Sequence, residues 1–284
     1  MYSNNNRALR YQYLPDFDST ENDEQIEAKL KERFEILREM TRECIEGRIR
    51  AMIASGPGGV GKTYSIDEEL EKLGTNGLDY TSHSGYSTPV GLFRMLYKHR
   101  EEGQLIKLDD IDSIFGDEKS LNFIKTACDT TQTRIISNNT EAIFIDDDSQ
   151  EAIPRSFEFN GTMMFCTNLD FDALIDKGNK LSPHLEALIT RSHYIDLCMR
   201  TKRDYLIRVF MVVDEGLFNN VQGGPLTDEE ANDVLDFIDA NFKILRECSL
   251  RMALKLGSLR KAWSPDDAID WKRKALLTCC RNVR

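Results

Sequence analysis

Positive charge is in short supply in this chain. Against 48 aspartates and glutamates it carries 37 lysines and arginines, a net charge of −11. A protein that grips long nucleic acid without regard to sequence usually presents a basic face. The balance here argues against a broad basic surface and confines any DNA contact to a loop or a pore. Metal-ligand patterns are also missing. The seven cysteines include no C-x-x-C pair, and none is spaced with the four histidines as a metal site would require. Cys279 and Cys280 are adjacent and poorly placed to bridge each other. An odd number of cysteines without a framework fits a reduced, cytoplasmic setting. No apolar run approaches the ~18 residues of a membrane span, and Met1 is not followed by a basic-then-apolar segment. Neither a signal peptide nor a membrane anchor is expected, and there are no internal repeats.

One motif is present in full. Gly56-Pro57-Gly58-Gly59-Val60-Gly61-Lys62-Thr63 matches G-x-x-x-x-G-K-[ST], the P-loop or Walker A pattern. The apolar run Ala51-Met52-Ile53-Ala54 precedes it, as a short buried strand would. Ile66, Leu70 and Leu73 follow at helical spacing. Glycines let the backbone turn its N–H groups toward phosphate oxygens, and the helix starting near Lys62 adds the positive end of its dipole. Lys62 is expected to reach the β- and γ-phosphates of ATP, and the Thr63 hydroxyl to bind Mg²⁺.

The rest of the chain reads as an α/β domain followed by helices. Residues 1–22 are polar and Asn-rich and read as a flexible tail. Apolar residues at three-and-four spacing predict a helix from Asp23 to Glu46. Strands are expected at Arg48–Ala54, Leu78–Thr81, Leu105–Asp110, Thr162–Asn168 and Tyr194–Leu197. Helices intervene: one opens at Thr88-Pro89, one lies near Glu118–Asp129, and one spans His184–Thr190. Strands alternating with helices imply a five-stranded parallel sheet. Arg134-Ile135-Ile136 and Ser156-Phe157-Glu158-Phe159 could pair across an insertion carrying Asp146-Asp147-Asp148, which reads as a solvated turn. Past Leu197 the strand signals stop. Thr201, Thr227, Ser249 and Ser264-Pro265 each look like a helix start. The expected division is a nucleotide-binding domain over 23–200 and an all-helical domain over 201–284.

Two further strand ends carry chemistry. Asp109-Asp110 closes an apolar strand, as a Walker B pair does: Asp109 would hold the Mg²⁺ through its waters, and Asp110 would orient a water for attack on the γ-phosphate. Asn168 ends the next strand. Neighbouring parallel strands would bring it level with Asp109 at the carboxyl edge, where open α/β sheets bind ligands.

With these motifs the chain resembles the AAA+ ATPases over about residues 24–265. Gly56–Thr63 is similar to Walker A, Asp109-Asp110-Ile111-Asp112 to the family's D-E-x-D, and Phe165-Cys166-Thr167-Asn168 to the sensor 1 strand. Ala187-Leu188-Ile189-Thr190-Arg191 resembles the arginine-finger helix, and Ser249-Leu250-Arg251-Met252-Ala253 the sensor 2 helix, although Gly257-Ser258-Leu259-Arg260 repeats that pattern. A narrower resemblance is to small AAA+ proteins of tailed bacteriophages, which would place the protein in the host cytoplasm. The resemblance implies an ATP hydrolase with a helical lid that forms a ring, a hexamer by analogy, with Arg191 serving a neighbour's nucleotide and Arg251 sensing the γ-phosphate. It also implies a pore loop over Ser82–Ser87, with Tyr86 as an aromatic that could grip DNA. One departure matters: the family usually has Glu where Asp110 stands, and the shorter side chain sets its carboxylate further back. Two alternatives to a DNA-acting ring follow, a slow-hydrolysing nucleotide-gated switch or scaffold and a protein remodeller.

Overall fold

The computed structural model describes residues 21–74, 79–146, 149–178, 180–197, 199 and 201–281. Among the described residues helix α1 (Asp23–Ile45) comes first, and a short turn leads to strand β1 (Ala51–Ser55). The phosphate-loop motif follows, then α2 (Lys62–Gly74), β2 (Asp79–Ser84), α3 (Pro89–Lys98) and β3 (Gln104–Asp109). After a 3₁₀ turn at Asp112–Gly116 come α4 (Glu118–Ala127) and four short strands, β4 (Ile135–Ser137), β5 (Phe144–Ile145), β6 (Ala152–Ile153) and β7 (Ser156–Glu158). Then follow β8 (Thr162–Thr167), α5 (Phe171–Asp176), α6 (Ser182–Ile189) and β9 (His193–Asp196). The remainder is helical: α7 (Lys202–Asp214), α8 (Asp228–Asn241), α9 (Leu250–Lys261) and α10 (Trp271–Cys279), with a 3₁₀ turn at Leu217–Asn220.

The main sheet has five parallel strands in the order β2-β3-β8-β1-β9. Its centre is apolar because β1 and β8 are buried on both faces, as strands covered by helices on each side must be. The register sets three strand ends level. Asp109 lies opposite Cys166, and Ser55 lies opposite Thr167, so the residues that follow β1, β3 and β8 emerge together at one edge. The insertion folds as expected: β4 and β7 pair antiparallel, with Ile136 opposite Phe157. A second pair, β5 with β6, extends it. Of the Asp146-Asp147-Asp148 run, only Asp146 lies within the described residues.

The chain divides into two compact units. Among the described residues the α/β unit holds those of 33–57 and of 62–197. Its core gathers Ile53, Ile106, Leu108, Met163 and Phe165 from the sheet with Leu92, Phe93, Leu121 and Ile124 from α3 and α4. Among the described residues the helical unit holds 21–32, 58–61, 199 and 201–281. Its core is built by Leu206, Phe210, Val234, Phe237, Leu256 and Trp271. Arg203 pairs with Asp23 inside this unit and ties α1's start to α7. Thr201 and Thr227 both close capping boxes, through Asp204 and Glu230.

Three expectations need correction. The first strand begins at Ala51 and not at Arg48, because residues 48–50 form bends outside the ladder. The strand expected to stop at Thr81 continues to Ser84, because its backbone pairs with β3 through Ser84 opposite Asp109. Its side chains are polar and mostly exposed, so the ladder rather than an apolar pattern defines it. The last helix does not begin at Ser264-Pro265. Residues 264–270 are all exposed and bury nothing, whereas Trp271, Ala275 and Cys279 are buried at four-residue spacing. Helix α10 therefore starts after Asp270, whose carboxylate accepts from the Lys272 N–H at 2.6 Å.

Candidate nucleotide site

In the α/β unit the start of α2 and the ends of β3 and β8 bring five polar side chains to one place. Lys62, at the first position of α2, is 5% exposed. Its ammonium donates to Gly56 O at 2.6 Å, Pro57 O at 2.9 Å and Asn168 Oδ1 at 2.9 Å. An ammonium has three protons, and these acceptors match them one for one. Burial holds this lysine below its ordinary pKa, against the opposing pull of Asp110, Asp109 and Asp112. Asn168 hands the connection on: its Nδ2 donates to Asp110 Oδ1 at 2.7 Å. Lys62, Asn168 and Asp110 thus form one hydrogen-bonded chain.

Next to it, the Thr63 hydroxyl donates to Asp109 Oδ1 at 3.1 Å. Burial raises the Asp109 pKa, with Lys107 and the Thr63 hydroxyl partly offsetting that. A hydroxyl beside a partly buried carboxylate is a hard-oxygen donor set of the kind Mg²⁺ takes. Sequence reasoning missed Lys107. It is 2% exposed on β3, paired with Asp67 of α2, and its ammonium lies 4.0 Å from Asp109 Oδ2. A lone lysine within an apolar strand was the available signal. Asp112, the last acid of the Asp109–Asp112 run, accepts from the Thr167 hydroxyl at 2.6 Å and so braces the end of β8.

Asp110 itself departs from ordinary backbone geometry. Its φ is +52°, in the left-handed region that Asp and Asn tolerate better than longer side chains. The turn takes the chain out of β3 while the Asp110 N–H still bonds Cys166 O at 3.1 Å.

Arg191, one residue beyond the C-cap of α6, donates to Ala187 O at 2.8 Å and pairs with Asp129 at 3.4 Å. The two side chains are 35% and 29% exposed. An ion pair so open to water is worth about 0–1 kcal/mol, so Arg191 is weakly held. Tyr86, just past the end of β2, is 78% exposed.

The tip of the phosphate loop, Gly58–Gly61, belongs with the helical unit. Gly59 and Gly61 both have left-handed φ, +74° and +99°. Within that unit Arg251 lies beside the tip, its Cβ 3.8 Å from where a Cβ on Gly59 would stand, and its side chain is exposed. Arg260 is engaged elsewhere, in ion pairs with Asp233 and Glu230 and over the Trp263 ring.

The described cysteines are free thiols. Burial pushes Cys128, Cys166 and Cys248 up to about 12, which leaves them without thiolate at neutral pH. Among the described residues no cluster of three or more His, Cys, Asp or Glu could hold a metal ion by itself. No helix among them is long and apolar enough to cross a membrane.

A Walker A loop between a buried strand and a helix, acids and an asparagine at the adjoining strand ends, and a parallel sheet ordered β2-β3-β8-β1-β9 define the class: a P-loop protein of AAA+ architecture. The chain belongs to the family of an uncharacterized 36.7 kDa protein from the nrdC–mobD intergenic region of Enterobacteria phage T4. The two are 38% identical over 235 residues, 82% of this chain and 70% of the phage protein. No protein-family profile matches the chain. Among solved structures it is similar to domain III of the Thermotoga maritima replication initiation protein DnaA, at TM-score 0.48 and 14% identity over 86% of this chain and 90% of that one. It is also similar to DnaA bound to AMPPCP and single-stranded DNA, at 0.46 and 14%, covering 79% of this chain but only 60% of that one. A Thermotoga maritima RuvB mutant follows at 0.42 and 16%, over 84% and 62%.

Proposed function

We propose that this protein binds and hydrolyses ATP, and that it does so as a ring acting on DNA or a nucleoprotein complex. The observation that carries the reading is the meeting of Lys62, Thr63, Asp109, Asp110 and Asn168 at the carboxyl ends of adjoining strands. In-line transfer of a γ-phosphoryl group to water asks mainly for positioning and charge neutralisation. Gly56, Pro57, Gly58, Gly59, Val60 and Gly61 would present backbone N–H groups to the phosphates, and Lys62 would exchange its protein acceptors for phosphate oxygens. Thr63 and Asp109 would hold Mg²⁺, which neutralises phosphate charge when bound. Asn168 and Asp110 would orient the attacking water. Arg251 would read the γ-phosphate, and Arg191 would complete the site of a neighbouring copy. DNA as the substrate is favoured by the exposed Tyr86 after β2, whose ring could stack on bases.

A second reading has its own support. Asp110 is short, backbone-constrained and hydrogen-bonded to Asn168, which suits slow turnover in a nucleotide-gated switch.

Steady-state ATP turnover separates the readings when measured alone and with single-stranded DNA, duplex DNA or denatured protein, beside sizing with a non-hydrolysable ATP analogue. Stimulation by DNA with nucleotide-dependent assembly is expected. Assembly without detectable turnover selects the switch, stimulation by denatured protein alone selects a protein remodeller, and no nucleotide binding at all would sink the P-loop reading.

A further inference from the structure

The tip of the phosphate loop is gripped by the helical unit through its carbonyl groups. The Leu250 N–H, at the first turn of α9, donates to Gly59 O at 2.9 Å. Arg208 of α7 donates through Nε to Val60 O at 3.2 Å. Its Nη2 lies 3.5 Å from where a Cβ on Gly61 would stand. Arg208 is 4% exposed, in a helix whose neighbouring residues Leu206 through Val213 are all buried. Contact is close on the other side too: a Cβ on Gly59 would come within 2.9 Å of Ser249 Cβ.

The geometry of the peptide unit gives these bonds a consequence. In a trans peptide the C=O of one residue and the N–H of the next lie in one plane and point in opposite directions. Holding Gly59 O toward α9 aims the Val60 N–H to the opposite side. Holding Val60 O toward Arg208 does the same for the Gly61 N–H. With Gly59 and Gly61 both at positive φ, successive N–H groups can converge as an anion nest. In a P-loop such N–H groups cradle the α- and β-phosphates.

We infer that Arg208 is a positioning residue for nucleotide binding: with the Leu250 N–H, it orients the two peptide planes of the loop tip so that their N–H groups face phosphate. The inference rests on the phosphate-binding reading above. Arg208 acts from behind the loop, through Val60, and so serves ADP and ATP alike. That separates it from Arg251, which the same reading assigns to the γ-phosphate.

Leu250→Pro tests the idea while keeping the helix start, although it trims a buried side chain of the core. Proline is favoured at a helix's first position. Ser249 is already extended at φ −153° and ψ 163°, as a residue before proline should be. The substitution deletes the donor to Gly59 O and, because proline's Cδ stands where the amide hydrogen was, also pushes that carbonyl away. Arg208→Met deletes the donor to Val60 O, and Arg208→Lys keeps one donor within reach. Binding of fluorescent ADP and of a fluorescent non-hydrolysable ATP analogue is titrated for each variant, with folding checked by thermal melting. Leu250→Pro and Arg208→Met should each weaken both nucleotides by roughly tenfold, the scale of one lost hydrogen bond in a preorganised site. Arg208→Lys should recover part of that loss, and Arg251→Ala should weaken the ATP analogue alone. If Arg208→Met fails to fold, Arg208→Gln, a shorter side chain that stays polar but withdraws the donor from Val60 O, takes its place. Wild-type affinity in folded variants overturns the inference, and so does a loss confined to the triphosphate. A wild-type chain that binds neither nucleotide brings down the phosphate-loop reading and this inference with it.

Discussion

At Asp110 the backbone turns through φ +52° as it leaves β3, and the side chain there is one that accepts such a turn at low cost. The left-handed region costs an ordinary L-residue ~1–2 kcal/mol, and Asp recovers part of that through local hydrogen bonds. This gives a physical account of why an aspartate stands where a longer acid would otherwise reach further toward phosphate. Asp110→Glu should therefore lower stability by about 1 kcal/mol. Thermal melting of the two proteins without nucleotide measures it, and an unchanged or raised melting temperature would show that the turn does not select the shorter residue. Neither the left-handed backbone nor the Asp110–Asn168 bond was legible beforehand. Sequence showed two adjacent acids at a strand end, but not that the second turns aside to meet an asparagine 58 residues away.

Helix ends illustrate what local chemistry can and cannot announce. Thr227 and Glu230 close a capping box at the start of α8, legible because both partners lie within one turn. The Glu230 carboxylate also reaches Lys261 and Arg260 on α9, a tertiary contact that no local pattern shows. Burial pushes its pKa up, but the Thr227 N–H and the two cations outweigh that and leave it below the ordinary value of 4.5. Its folded pKa is thus lower than its unfolded one. The stabilisation is present above the unfolded value and drains away as pH falls through the folded value. Urea unfolding of wild type and Glu230→Gln should differ by about 1 kcal/mol near neutral pH, with the gap closing below the ordinary glutamate range. A gap that persists in acid would assign the effect to shape rather than charge. The false start at Ser264-Pro265 is the converse case. A serine before a proline satisfies the local rule, yet α10 begins only where Trp271 finds a core to enter.

For the whole molecule the consequential question is whether one chain suffices. Among the described residues Arg191 is held by Asp129 and Ala187 O, a weak tie that a phosphate could displace. Arg191→Ala should bind ATP as the wild type does but lose turnover by about 10³–10⁵, the range of a finger arginine. Mixing it with Lys62→Ala, which keeps Arg191 but lacks the phosphate lysine, should restore measurable turnover from mixed assemblies. Full turnover by Arg191→Ala alone would remove the shared site, and failure of the mixture to recover activity would place Arg191 in its own subunit's chemistry.

By itself the sequence determined the strand–loop–helix around Gly56–Thr63, the acids ending β3, the asparagine ending β8 and the helical character of the last third. These depend on neighbours in the chain, on glycine's freedom and on the period of apolar residues. Only the tertiary structure decided what each group bonds to. Register set Asp109 opposite Cys166 and Ser55 opposite Thr167, and folding brought Lys62 to Asn168. It also carried Arg208, 148 positions along the chain, to the carbonyl of Val60. A lone arginine in the run Leu206–Val213 was the one visible trace of that contact. Its meaning depended on which backbone carbonyl the fold would turn toward it, and nothing local specifies that.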